Sequence, residues 1–280
     1  MALLLPLSSC GRRSRCNDSD TAYPLSGPWP GTRGWLGHHL DDGIVATIRS
    51  TVENKTLLDI GSGTGMYGAH FHELRERGKV APFWTGFDGS PGVENYTRTM
   101  GPPGSLTRHA NLCDESVVLP RKDWVMSLEV GEHLPQSCMS NYLRLLDEGN
   151  RKGMFLSWAV PGQAGFCHIS TKANDVVTAA FAVLGYEPLR HAWASGRRVA
   201  RMDWFRKTFM AFKRVRSSQR CGFTVSLIER AARCLANATH VDPVACSTAC
   251  PWDKEPPPSY TTFQKLFSGK RNGRRLGEIR

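Results

Sequence analysis

Between residues 35 and 214, short apolar runs alternate with segments of helical periodicity. Residues 56–61 (TLLDIG) have strand length and character. In 66–78 (MYGAHFHELRERG), Met66, Ala69, Phe71 and Leu74 recur at roughly helical spacing before a glycine stop. The alternation continues with strands over 82–89 and 105–112 and a short helix over 93–100 between them. A strand over 123–130 precedes a helix over 136–149 that ends at Gly149, and a strand over 153–160 follows. The runs at 123–130 and 153–160 are continuously apolar, as in strands buried on both faces. A helix over 171–186 with Thr171 as its cap leads to two closing strands, 185–193 and 203–214, read as a hairpin. This pattern predicts an α/β fold, a mainly parallel sheet with helices on both faces. In such sheets ligands bind outside the carboxyl ends of the strands, so the residues just after each strand carry the functional information.

After the first strand, Asp59-Ile-Gly61-Ser-Gly63-Thr-Gly65 places three glycines where the backbone must turn or approach a ligand without a Cβ in the way. The turn's backbone N–H groups and the following helix N-terminus suit a negative or polar ligand group, and the Asp59 carboxylate can accept from an ammonium. Asp88, 29 positions on, ends the second strand and suits the two hydroxyls of a ribose. Asp114 follows the third strand, where it could accept from an exocyclic adenine amine. Together these positions describe a ligand bearing adenosine. The fourth strand ends in SLEVGEHLP, with Glu129 and His133 four apart and so on one face if the segment is a helical turn. The fifth ends in SWAVPGQAGFCH, where Trp158, Pro161, Gln163 and His168 overlook the acceptor side.

Gly63-Thr-Gly65-Met-Tyr-Gly68 also matches the GxGxxG of dinucleotide-binding proteins. The chain resembles more fully the class I S-adenosylmethionine-dependent methyltransferases, whose first turn reads acidic-x-G-x-G-x-G. The stretch DWVMSLEVGEHLP (123–135) is similar to an element of the small-molecule branch of that family. The resemblance covers about residues 35–214. It implies a Rossmann-like, doubly wound, mainly parallel seven-stranded sheet with an antiparallel last strand, and S-adenosyl-L-methionine as cofactor. It also implies methyl transfer to oxygen, nitrogen or carbon of a small molecule or exposed side chain. Carried over by position, Asp59 contacts the amino end of the methionine part, directly or through water. Gly61, Gly63 and Gly65 give the backbone room, Asp88 binds the ribose, and Asp114 faces the adenine with Leu112 or Cys113 beside the ring. Glu129 closes the pocket near the methyl group, and His133 is the candidate base, with bracing of the loop as its structural alternative. Trp158, Gln163 and His168 line the acceptor side, Trp158 having core packing as its alternative. Two rivals stay open: a nicotinamide-dependent oxidoreductase, and a methyltransferase-like domain that binds the cofactor without catalysis.

Composition adjusts this picture. The net charge is +11, and residues 197–220 hold nine basic residues against Asp203 alone. With Trp204, Phe205, Phe209 and Phe212 interleaved, that stretch has the look of a nucleic-acid surface. A last strand with one buried face explains it more simply, and a small-molecule acceptor is the expected partner. A hydrophobic fraction of 40%, with 17 prolines and 27 glycines, predicts that part of the chain is unpacked. Residues 1–34 and the basic, Pro-containing residues 217–280 are accordingly expected as loosely ordered tails around one domain, 35–216. The nine cysteines have no paired CxxC spacing, so neither a zinc site nor a regular disulfide framework is expected. His38 and His39, a candidate lid or plain surface, have no acid or cysteine at ligand spacing, and no metal is expected. Asn54, Asn95 and Asn237 begin glycosylation tripeptides that read as chance matches. The opening MALLLPLSSC is too short for a membrane span. The expected compartment is the cytoplasm, with secretory or organellar targeting left open.

Overall fold

The computed structural model describes residues 39–165, 167–215, 224–242 and 246. The chain runs α1 (Asp42–Val52), β1 (Thr56–Ile60), α2 (Met66–Glu76), β2 (Phe83–Asp88), α3 (Val93–Thr99), β3 (Thr107–His109) and β4 (Lys122–Leu128). It continues with α4 (Met139–Glu148), β5 (Asn150–Ser157), α5 (Asn174–Val183), β6 (Tyr186–Pro188), α6 (Arg190–Val199), α7 (Asp203–Thr208), β7 (Met210–Arg214) and α8 (Thr224–Cys234). The seven strands form one sheet in the order β3-β2-β1-β4-β5-β7-β6. The pairs from β3 to β5 are parallel, whereas β7 runs antiparallel to both β5 and β6. This is the Rossmann-like sheet that the resemblance implies. The strand order reverses between β1 and β4, which makes the space beyond their carboxyl ends the crevice of the fold.

Burial explains the strands. Leu57, Leu58 and Ile60 of β1, Val125 and Met126 of β4 and Met154, Phe155 and Leu156 of β5 are all buried, because helices cover both faces. The β6–β7 edge is locked by charge as well. Arg214 pairs with Asp147 at 2.9 Å, both nearly inaccessible to water, and bonds the Tyr186 hydroxyl, which in turn donates to Asp147. A buried ion pair endures only where its remaining donors and acceptors are satisfied in this way.

The closing hairpin differs from expectation. Only Tyr186–Pro188 pairs as β6, and α6 and α7 intervene before β7, so the two antiparallel strands are joined by a helical crossover. Residues 203–208 are helical because Phe205 and Thr208 are the residues turned to the interior, and Asp203 pairs with Arg206 across one turn. Thr171 does not cap α5, whose N-cap position is Ala173. Part of the expected C-terminal tail is also structured. Helix α8 packs on α4 and α5 through buried Leu227, Ile228 and Ala231, an amphipathic stripe hidden in a basic context. The expected N-terminal tail, 1–34, lies outside the described residues.

Cysteines supply covalent ties that spacing did not reveal. Cys113 is bonded to Cys138 and Cys234 to Cys246, and Cys167 is disulfide-bonded as well. The partners are brought together by the fold and not by sequence proximity, so their spacing carries no signature.

Asp41 straps α1 to the α6–α7 connection. One carboxylate oxygen caps α1 by accepting from the Ile44 amide at 3.0 Å, and the other accepts from the amides of Arg201 and Met202, each at 2.8 Å. Asp41→Ala is expected to destabilise the chain by about 2–4 kcal/mol in urea unfolding, through a lost cap and two orphaned amides. Asp42→Ala, which removes only an exposed pair with Arg201, is expected to cost less than about 1 kcal/mol.

Candidate active site

A cleft of about 360 Å³ opens beyond the carboxyl ends of β1, β2 and β4. Its floor begins with the glycine turn. Gly61, Gly63 and Gly65 have φ of 80°, 53° and 69°, a region that side chains other than glycine occupy at a cost. A Cβ on Gly65 would stand 2.0 Å from the Ser105 carbonyl oxygen. The turn is stitched to β2: the amides of Gly61 and Ser62 donate to the Phe87 carbonyl, and that of Gly63 donates to an Asp88 carboxylate oxygen at 2.8 Å. The other Asp88 oxygen accepts from the Ser90 amide. Gly65 donates to Ser62. Four amides of the turn are therefore occupied within the protein, and the turn is no open cradle for a phosphate, contrary to one use that its sequence suggested.

Asp59 faces this cleft from the end of β1. It is 3% exposed and accepts one side-chain hydrogen bond, from Trp84 Nε1 at 2.9 Å. Trp84 reaches it because Gly68 of α2 and Gly86 of β2 leave room for the indole; a Cβ on either would lie 2.2–2.3 Å from its ring. The last glycine of the GxGxxG match thus serves packing. Burial pushes the Asp59 carboxyl up to about 7, against the opposing bond from Trp84 and with a further push from the charge of Asp88.

The acceptor end is built from the segments after β4 and β5. Glu129 has φ of 54°, a backbone conformation unusual outside glycine. Its carboxylate accepts from Gln163 Nε2 at 2.8 Å and Thr208 Oγ1 at 3.1 Å, which joins three separate segments. A 3-10 turn, Gly131–His133, follows. Glu129 precedes that turn, so its spacing of four from His133 does not mark one helical face. Glu132 is fully buried, and neither carboxylate oxygen has a hydrogen-bond partner. Burial and the charge of Glu129 hold its carboxyl well above the usual range. The backbone amides of Glu132 and Ala159 pull the other way without offsetting it. His133 and His168 meet edge to face at 5.0 Å between ring centres.

Of the residues singled out from sequence, Asp59, Gly61, Asp88, Glu129, His133, Gln163 and His168 line this one cleft, with Leu112 on the expected adenine side. Gly63 and Gly65 belong to the turn at its floor without lining it, and two others stand elsewhere. Asp114 is exposed, its carboxylate accepting from the amide and hydroxyl of Ser116. Asn141 and the Cys113–Cys138 disulfide hold its turn so that Leu112 points inward and Asp114 outward. Trp158 is buried, its indole donating to the Ser170 carbonyl at 2.7 Å, and it braces the loop from behind. Sequence reasoning missed Met202, Trp204 and Phe205 as lining residues. The aromatic and basic pattern there pointed to a strand or a nucleic-acid surface, and only the α6–α7 connection brings it over the cleft. His39 also lines the cleft, while His38 lies outside the described residues.

No protein-family model matches the chain, and no curated protein does. Among solved structures, it is similar to magnesium protoporphyrin IX methyltransferase (ChlM) from Synechocystis PCC 6803 with bound SAH. The identity is 16% and the TM-score 0.43, over 62% of this chain and 80% of that one. A TehB-like SAM-dependent methyltransferase from Corynebacterium glutamicum is 13% identical, with a TM-score of 0.39 over 64% of this chain and 90% of that one. Both neighbours are methyltransferases.

The folded chain holds the Asp59 proton up to about pH 7, whereas an unfolded one releases it near 3.8. Rising pH therefore costs stability across that window, and the loss is complete above it. Asp59→Asn, which keeps an acceptor for Trp84, is expected to stabilise the ligand-free chain at pH 8 by up to about 4 kcal/mol. The gain should vanish on acidification to pH 4, as thermal melts at the two pH values would show.

Proposed function

We propose that the cleft binds S-adenosyl-L-methionine and that the protein is a methyltransferase acting on a small acceptor. The observation that carries this reading is the charge of the lining. Asp59, Asp88 and Glu129 face the cleft, and no lysine or arginine is among the described lining residues. Carboxylates poorly supplied with donors favour a ligand that is cationic and rich in hydroxyls. A pyrophosphate would meet negative charge and a turn whose amides are already engaged, which weighs against a nicotinamide dinucleotide. The antiparallel β7 also departs from the all-parallel order common to dinucleotide folds.

Asp59 fits the ammonium of the methionine part, and the ammonium would draw its carboxyl back to the ionised state. Asp88, with two of its roughly four acceptor positions used, retains capacity for ribose hydroxyls. Leu112 and Met126 offer an apolar wall to the adenine. Bound there, S-adenosylmethionine supplies a methyl group already activated by the sulfonium charge. The chain's own task is then orientation and exclusion of water. Glu129, fixed by Gln163 and Thr208, marks the boundary between donor and acceptor regions, and Trp204 and Phe205 roof the site. An acceptor region lined by Gln163, His133 and His168 favours catalysis over a role confined to cofactor binding. We place the functional domain from Asp41 through α8, since α1 packs on α6 and α8 on α4 and α5. Among the described residues no helix is long and apolar enough to cross a membrane.

Calorimetric titration tests the cofactor. S-adenosylmethionine and S-adenosylhomocysteine should bind and NAD should not, and Asp88→Ala should weaken both by about tenfold or more. Binding of NAD alone would overturn the reading. The disulfides bear on compartment. Five cysteines bonded in this way favour an oxidising environment over the cytoplasm. Alkylation under denaturing, non-reducing conditions should leave Cys113, Cys138, Cys167, Cys234 and Cys246 unmodified.

A further inference from the structure

Glu132 presents a problem of its own. A carboxylate that is 0% exposed, with both oxygens unpartnered and Glu129 alongside, is costly in either protonation state. The two nearest imidazoles are arranged to relieve it. His133 Nδ1 lies 3.2 Å from the Cys167 carbonyl oxygen, and His168 Nδ1 lies 3.2 Å from the Gln163 carbonyl oxygen. A carbonyl only accepts, so in both rings Nδ1 carries the proton and donates it. Each neutral ring then has its basic lone pair on Nε2. Donation of the second ring nitrogen to a carbonyl is how metal-binding histidines are commonly oriented. One donor atom from each of Glu132, His133 and His168 lies within 4.8 Å of the other two. Ligands around a first-row ion, bound at 2.0–2.2 Å, stand about 3–4 Å apart, so a small contraction completes the set.

We propose that Glu132, His133 and His168 bind a divalent transition-metal ion, Zn²⁺ or Mn²⁺, beneath the acceptor end of the cleft, and that the acceptor is a hydroxyl compound which the ion activates. Two imidazoles and a carboxylate suit such ions better than Mg²⁺ or Ca²⁺, which prefer oxygen ligands throughout. Three protein ligands leave coordination positions open, and His133, His168 and Glu129 face the cleft, which directs those positions toward the acceptor. A hydroxyl bound to the ion becomes acidic near neutral pH. It loses its proton to water, its oxygen forms a bond to the methyl carbon, and the carbon–sulfur bond breaks with its electron pair remaining on sulfur as a neutral thioether. This inference rests on the methyl-transfer reading for its chemistry, though not for the site. It gives His133 a ligand's role in place of the base role suggested by spacing. The metal-free expectation weighed the cysteines and the His38–His39 pair, and this cluster, which joins residues 35 apart, was not visible to it.

The test uses the full chain, stripped with a chelator and dialysed, then titrated calorimetrically with ZnCl₂ and MnCl₂. Co²⁺ is added in parallel and followed by its visible absorption. One ion per chain is expected, with affinity falling about 100-fold or more in Glu132→Gln and in His168→Ala. Circular dichroism of each variant verifies its fold. Binding that persists in both variants, or no binding by a natively folded wild-type chain, overturns the inference. Titration with S-adenosylmethionine in the presence of chelator separates the two readings. Metal binding without cofactor binding leaves the site standing and removes methyl transfer, and the converse does the opposite.

Discussion

The structure turns on the burial of carboxylates with too few donors. Asp59 has the Trp84 indole as its one side-chain donor, and Glu132 has no hydrogen-bond partner for either oxygen. Each unmet negative charge in a low-dielectric setting would favour protonation or a cation. Both lie at the carboxyl edge of the sheet, on either side of the point where the strand order reverses. In the proposed reading, the methionine ammonium and a metal ion are two answers to the same electrostatic deficit.

Holding those charges in place needs a stiff frame, and the frame is assembled from distant segments. Asp88 ties the glycine turn to β2, Asp41 ties α1 to the connection that carries Trp204 over the cleft, and Glu129 joins the loop after β5 to α7. The Cys113–Cys138 bond fixes the turn that presents Leu112, and buried, disulfide-bonded Cys167 supplies the carbonyl that orients His133. These contacts set positions that no single secondary-structure element could set alone, which is what a preorganised site requires.

What was legible in the sequence was local. A buried strand, three alternating glycines and an acid at the end of the next strand are one supersecondary unit, so Asp59, Gly61, Gly63, Gly65 and Asp88 announced themselves. Asp114 and Trp158 were placed by counting from strand ends, and the turn held by Asn141 and the indole's bond to Ser170 sent them elsewhere. Helix α7 was hidden because six residues of mixed aromatic and basic character fit a strand period as well as a helical one. The disulfides and the Glu132–His133–His168 cluster depend on chain reversals, and these leave no trace in spacing. Glu132 itself stood in the quoted EVGEHLP motif, but only its burial without a partner singles it out.

The most direct test of the central claim is a crystal structure of the chain with S-adenosylhomocysteine. The account predicts ribose hydroxyls on the Asp88 carboxylate, the amino group at Asp59 and the adenine against Leu112. A nucleoside bound outside this cleft, or inside it with its ribose turned away from Asp88, would contradict the account.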